Sequence, residues 1–252
     1  WGHHFSFTSL ASRGIDMPHS IKTSNLSVTL NGIQLVQPTT LSVNSGEAVG
    51  IIGLNGAGKS TLMKAIIGLI PHQGFSNIAS QSFEDRARLS AWVPQTREIV
   101  WDVSVETLLG FTLRNFRYQN ESNVNLSDKM NFSIKDALLA TNTSKLSNRN
   151  IGSLSGGELT SVLIARALVQ QTSTIFLDEP LASLDPVQKI SVLSLIQELS
   201  KTGITIIASL HDVEIAQSYF TRFLGIKAGK VVADGSPKRL LSKKHFKEIF
   251  LC

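Results

Sequence analysis

The stretch Gly53-Leu-Asn-Gly-Ala-Gly-Lys-Ser60 stands between the apolar run Ala48–Ile52 and the helix-like run Thr61–Ile70. Glycine lets a backbone turn tightly and bring its N–H groups close to a ligand, and the start of the following helix adds a partial positive charge. Gly53, Leu54, Asn55, Gly56, Ala57 and Gly58 are therefore expected to wall a phosphate cradle, with Thr61 in the helical turn behind it. Lys59 would reach the β- and γ-phosphates as a point charge, and the Ser60 hydroxyl would ligate a bridging magnesium ion. A plain Gly-rich turn before a lysine is the competing reading. The strand-loop-helix context is the one that nucleoside triphosphate binding requires.

The remaining composition sets bounds. A chain of 252 residues can build one large α/β domain or two small ones around an ample core. Its single cysteine, Cys252, permits no internal disulfide and no cysteine metal cluster, which fits a reducing compartment. Although 42% of the residues are hydrophobic, no run approaches the ~18 uninterrupted apolar residues of a membrane span. The net charge of +5 reads as a solvated basic face, since Lys and Arg are scattered apart from a cluster at Lys227–Lys247, and no nucleic-acid partner is expected. Residues 1–16 lack the apolar centre of a signal peptide and are expected to be a disordered extension before a domain spanning 17–252. The adjacent His3 and His4 in it read as incidental rather than metal-binding.

Residues 26–53, "LSVTLNGIQLVQPTTLSVNSGEAVGIIG", alternate apolar and polar positions with turn signals at Asn31-Gly32 and Asn44-Ser-Gly46. Antiparallel strands feeding a buried strand are expected there. Thr61–Ile70 carries apolar residues at Leu62, Ala65, Ile66 and Leu69, the spacing of a helix packed on a sheet and ended by Pro71. Thr174–Leu177 leads to Asp178-Glu179-Pro180, and Ile204–Ser209 leads to His211-Asp212. The fold class predicted is α/β: a P-loop NTPase core with a mostly parallel sheet, and an N-terminal antiparallel β subdomain. A helical subdomain is expected as an insertion at about residues 97–160, because Asn and Ser become frequent between Ser104 and Ser153 and no strand pattern appears. It would include a flexible segment near Asn115–Asn131, a long surface loop being the alternative.

Two carboxylates at the end of a hydrophobic strand are the expected second half of a phosphate-loop site. Asp178 would hold magnesium, and Glu179 would polarise a water for attack on the γ-phosphate. In "LSGGELTSVLIARAL" (154–168), Ser155, Gly156 and Gly157 open a helix whose apolar face is Leu159, Val162, Leu163 and Ala167. That makes a second anion-binding turn, or else an ordinary serine-glycine helix cap. A head-to-tail dimer, with the turn of one chain closing over the nucleotide of another, accounts for both turns.

These stretches resemble the ATP-binding subunits of ABC transporters over Met17–Cys252, through six motifs in the same order. Gly53–Ser60 resembles the Walker A loop, Gln95 in "AWVPQ" the Q-loop glutamine, and Leu154–Glu158 the signature motif. Thr174–Glu179 resembles Walker B with its catalytic glutamate, "SLD" at 183–185 the D-loop, and His211 in "SLHD" the switch histidine. The resemblance implies ATP and Mg2+ as cofactors, and a paired or identical ATPase subunit. It also implies membrane-spanning permease subunits, a periplasmic or surface substrate-binding protein, and a place at the cytoplasmic face of the membrane. It further implies that Gln95 touches magnesium and the attacking water, that His211 contacts the γ-phosphate, and that Asp185 crosses the dimer interface. Read alone, Gln95 is a loop amide and His211 a strand-end histidine satisfied by Asp212.

"RLSAWVPQ", "WDVSVETLLGF" and "VVADGSPKRLLSKKHFKEIF" resemble importers of iron chelates, haem or vitamin B12, while "SLHDVEIAQSYFTRFLGIKAG" also resembles phosphonate-type import ATPases. A soluble ABC ATPase acting on DNA or ribosomes would need an insertion or second cassette that is missing, and no Asn-Lys-x-Asp motif supports a GTPase. Two positions depart from the family pattern. Leu30 stands where an aromatic residue usually stacks on adenine, and Leu159-Thr160 follows the signature where a Gln-Arg-like pair is common.

Overall fold

The computed structural model describes residues 20–95, 103–120, 134–242 and 249–250, and for 113–120 the backbone alone. The expected N-terminal extension 1–16 and most of the segment expected to be flexible lie outside the described residues.

Strands β1 (Ile21–Leu30) and β2 (Ile33–Val43) form the expected hairpin, turning through Asn31 and Gly32, which both take positive φ, 49° and 78°. A two-residue loop of this hand matches the twist of the strands it joins. The chain then runs through the buried strand β3 (Ala48–Ile52) into α1 (Lys59–Ile66). β4 (Gln73–Ser76) pairs with the other edge of β1, completing an antiparallel sheet of order β2-β1-β4. Next come α2 (Phe83–Leu89) and β5 (Ser90–Val93), then the helices α3 (Val105–Asn120), α4 (Ile134–Ala140) and α5 (Gly156–Val169). β6 (Thr174–Leu177), α6 (Pro186–Lys201), β7 (Thr205–Leu210) and α7 (Val213–Ala216) follow. The hairpin of β8 (Arg222–Lys227) and β9 (Lys230–Gly235) leads into α8 (Pro237–Leu240).

The second sheet has the order β5-β6-β7-β3-β8-β9 and is parallel except for β9. Its inner strands are mostly buried and rich in apolar residues because both faces are covered. Ile175, Leu177, Ile206 and Ala208 pack into the cluster built with α5 and α6, whereas Phe176 and Ile207 join the cluster under α1 and the antiparallel sheet. Alternate residues of one strand thus enter two cores, the period-two geometry of an extended chain.

Two expectations need correction. The first helix ends at Ile66 rather than at Pro71, because Gly68 takes φ +70° and closes the last turn, with the Leu69 N–H donated to Lys64 O at 2.9 Å. Leu69, expected on the buried face, is consequently 54% exposed. Residues 115–120, expected within the flexible segment, are helical as the end of α3. The Asn-rich composition there is only a weak propensity, and Val105 and Leu109 anchor the start of that helix in the core.

Candidate functional site

Adjacent parallel strands deliver the candidate residues to one edge of the sheet. Gln95 follows β5, Asp178 and Glu179 follow β6, His211 follows β7, and the loop Gly53–Ser60 follows β3. These four strands are neighbours, so the residues beyond their carboxyl ends converge as a matter of topology.

The loop needs its glycines. Gly58 has φ +104°, and a Cβ there would stand 2.7 Å from Leu35 O of β2; Gly53 has φ +152° and leaves no room for a side chain beside Ile226 O. Leu54, Asn55 and Gly56 are exposed at the tip, Ala57 is buried, and Thr61 is half-buried in α1. Lys59 is only 5% exposed, and its Nζ donates to Gly53 O and Leu54 O, both at 3.0 Å. Burial pushes its ammonium pKa down from the ordinary lysine value, against the carboxylates of Glu179 and Asp178, which push it up. The cation is held against the loop carbonyls.

Ser60 Oγ donates to Asp178 Oδ1 at 2.6 Å, joining the first turn of α1 to the end of β6 across 118 residues. Asp178 is buried. Glu179 takes φ +48°, a left-handed conformation that costs a non-glycine residue of order 1–3 kcal/mol and so points to a function for the turn. Its Oε2 accepts from Gln95 Nε2 at 2.5 Å, and its Oε1 lies 2.6 Å from His211 Nε2. An ionised carboxylate only accepts, so His211 donates from Nε2. Asp212 does not serve His211; its carboxylate pairs with Lys189 Nζ at 2.6 Å.

Ser155 caps α5. Its Oγ accepts from Glu158 N at 3.3 Å, while Glu158 Oε2 accepts from Ser155 N at 2.8 Å, a reciprocal capping box. The Ser155 N–H bond holds the Glu158 carboxyl below its ordinary pKa, helped by Arg149, 3.3 Å away. Gly157 lies against α6, where a Cβ would crowd Gln188, and Asp185 caps that helix by accepting from Gln188 N at 2.8 Å. A cleft of about 710 Å³ opens beside Ser155, Gly157 and Glu158 and is lined by α4, α5 and α6, with no residue of the Lys59 loop among its walls. The Gly53–Ser60 loop and the Ser155 turn of one chain therefore face different surroundings.

Leu30 is 56% exposed at the end of β1, beside the hairpin turn. Thr160 is buried and donates to Gly156 O at 2.9 Å, and Leu159 packs partly buried against the core. The polar pair common at these positions is thus replaced by residues that serve the fold of α5. Ser209, which sequence reasoning took only as the end of a strand, belongs to the site: its hydroxyl contacts both Asp178 and the backbone of Glu179. A hydroxyl two residues before His211, in a strand otherwise apolar at its carboxyl end, was the available signal.

The profile of the family described as ABC transporter matches residues 36–182. The chain is 34% identical to the manganese transport system ATP-binding protein MntB of Halalkalibacterium halodurans over 207 residues, covering 81% of each chain. It is 30% identical to the hemin import ATP-binding protein HmuV of Pseudomonas aeruginosa over 241 residues, covering 91% of this chain and 92% of the relative. Among solved structures, cbiO1 from Clostridium perfringens, part of the ABC transporter complex cbiONQ, superposes with a TM-score of 0.77 at 26% identity. That match covers 90% of this chain and 92% of the other.

Proposed function

Since the chain belongs to the ABC transporter family, we propose that its five converging side chains bind ATP and magnesium and hydrolyse ATP to drive an importer of metal chelates. The chain is an ATP-binding and hydrolysing subunit of the import type and works with membrane permease subunits. The observation that carries the site reading is the hydrogen-bonded set Ser60, Asp178, Glu179, Gln95 and His211 beyond the carboxyl ends of the strands.

In this reading Gly53–Gly58 wrap the phosphates with backbone N–H groups, and Lys59 leaves its two carbonyls to meet the β- and γ-phosphates. The Ser60 hydroxyl and the Asp178 carboxylate, 2.6 Å apart, are hard oxygen donors suited to magnesium, and the Gln95 amide oxygen would be a further donor. Among the described residues no cluster of three or more His, Cys, Asp or Glu could hold a metal, so phosphate and water oxygens would complete the shell. Magnesium bound there would neutralise the charge of the β- and γ-phosphoryl oxygens. Glu179 accepts the proton of the attacking water, and Gln95 and His211 hold its two oxygens in place. Ser155, Gly156 and Gly157 would face the γ-phosphate of a second, paired or identical subunit, with Asp185 at the same interface.

No helix among the described residues is long and apolar enough to cross a membrane, so attachment at the cytoplasmic face would come through the permease. A groove of about 670 Å³ between α2 and the helical insertion, lined by Leu69, Phe83, Trp92 and Arg166, offers a docking surface for a permease segment. Metal-bearing cargo, as a ferric siderophore, haem or cobalamin supplied by a periplasmic or surface binding protein, is supported by the hemin import relative and the matching motifs. The test is to capture the chain from detergent-solubilised membranes and reconstitute what comes with it. Multi-span partners and ATP-driven uptake of metal chelates are expected. Uptake of phosphonates alone would overturn the cargo, and the lack of any multi-span partner would overturn the assembly.

Leu30, exposed at the end of β1, is proposed to face adenine without stacking on it. Leu30→Tyr should tighten ATP binding by up to ~1–3 kcal/mol, about 5- to 150-fold in Kd, and leave inorganic triphosphate unaffected. Titration calorimetry with both ligands checks this; equal changes for the two would remove Leu30 from the adenine position.

A further inference from the structure

We propose that Ser209 is a positioning residue of the hydrolytic site, a buried hydroxyl that fixes Asp178 and Glu179 relative to each other. The inference rests on the reading of those two carboxylates given above. β6 and β7 run parallel with Leu177 opposite Ala208, so the next step of the ladder sets Asp178 beside Ser209. Ser209 Oγ donates to Asp178 Oδ1 at 2.8 Å and accepts from Glu179 N at 2.7 Å, and the residue is 0% exposed.

A hydroxyl has one proton to give and lone pairs to accept with, and here both capacities go to the site. Packing alone would favour an apolar residue, since every residue of β7 is buried and an unbonded hydroxyl would be costly there. The Glu179 N–H belongs to a residue at φ +48°, and Ser209 satisfies it. On the opposite side the Asp178 N–H donates to Val93 O of β5 at 2.9 Å. The turn is thus tied to both flanking strands, once through backbone and once through Ser209. Asp178 Oδ1 also accepts from Ser60, so Ser209 keeps a hold on that carboxylate that is independent of the phosphate loop.

The experiment compares Ser209→Ala, Ser209→Thr and Ser209→Val with the wild-type chain. Thr and Val share a shape and differ in the hydroxyl, so their comparison stands even if Ser209→Ala folds poorly. Loss of the outer hydrogen bonds around a ligating carboxylate typically costs 10–100-fold in activity or metal affinity. Ser209→Ala and Ser209→Val should lose about that much in kcat while KM for ATP stays within about twofold, and Ser209→Thr should regain most of it. A second readout is independent of turnover: ATP binding in EDTA should be unchanged. The magnesium concentration at half-maximal ATP-dependent thermal stabilisation should rise about tenfold in Ala and Val. Equal kcat in Thr and Val, or ATP binding in EDTA that weakens in step with kcat, would overturn the role of Ser209. A wild-type chain that hydrolyses no ATP would instead sink the ATPase reading, and this inference with it.

Discussion

Glu179→Gln lowers ATP turnover by about 100-fold or more, the scale of a positioned general base, while ATP still binds. The substitution keeps the shape of the side chain and an acceptor oxygen for Gln95 Nε2, so the strained turn at φ +48° has no new reason to rearrange. What disappears is the charge that would take a proton from water. Lys59, Ser60 and Asp178 are untouched, so the proposed phosphate cradle and the oxygens proposed for magnesium remain. ATP bound but not consumed should then hold two subunits together, and light scattering at saturating ATP and magnesium should report a stable dimer. Turnover retained within a few-fold of wild type would show that Glu179 is not the base, and a strictly monomeric variant would remove the dimer from the mechanism.

Much of this site was legible because its chemistry is written in short segments. Gly53–Ser60 needs only its own residue types and the strand and helix at its ends, and Asp178-Glu179 declares itself by following an apolar strand. Ser155 with Glu158 three residues later also spells a capping box, though only its serine-glycine turn was read from the sequence. What escaped depends on contacts between distant segments. Ser209 meets Asp178 across 31 residues, and only the parallel pairing of β6 with β7 makes them neighbours. The pairing of Asp212 with Lys189 likewise required the placement of α6. The early end of α1 is not set by Pro71: Gly68, one turn earlier, is the stronger stop once it takes positive φ.

Lys59→Ala and Ser155→Arg should each fall by about 100-fold or more in hydrolysis, and a mixture of the two should regain activity that neither has alone. Lys59→Ala removes the buried cation proposed to meet the phosphates of a chain's own nucleotide. Ser155→Arg puts a long side chain at the start of α5 and sacrifices a cap contributing about 1 kcal/mol, so thermal melts must first establish that the variant folds. In a head-to-tail dimer each site takes one Lys59 loop and one Ser155 turn from different chains. A mixed pair gathers both lesions into one site and leaves the other with an intact loop and an intact turn. Within a single chain the cleft at Ser155 has no wall from the Lys59 loop, so a monomer acting alone could not be repaired by mixing. The measurement is a titration of one inactive protein into the other, recording phosphate release and dimer mass together. Recovery of both with a maximum near equal amounts is the expected result. If neither rises although both variants melt as folded proteins, Ser155 does not complete the site of a second subunit. Mixed dimers without hydrolysis would keep the composite geometry and show that the two sites must fire together.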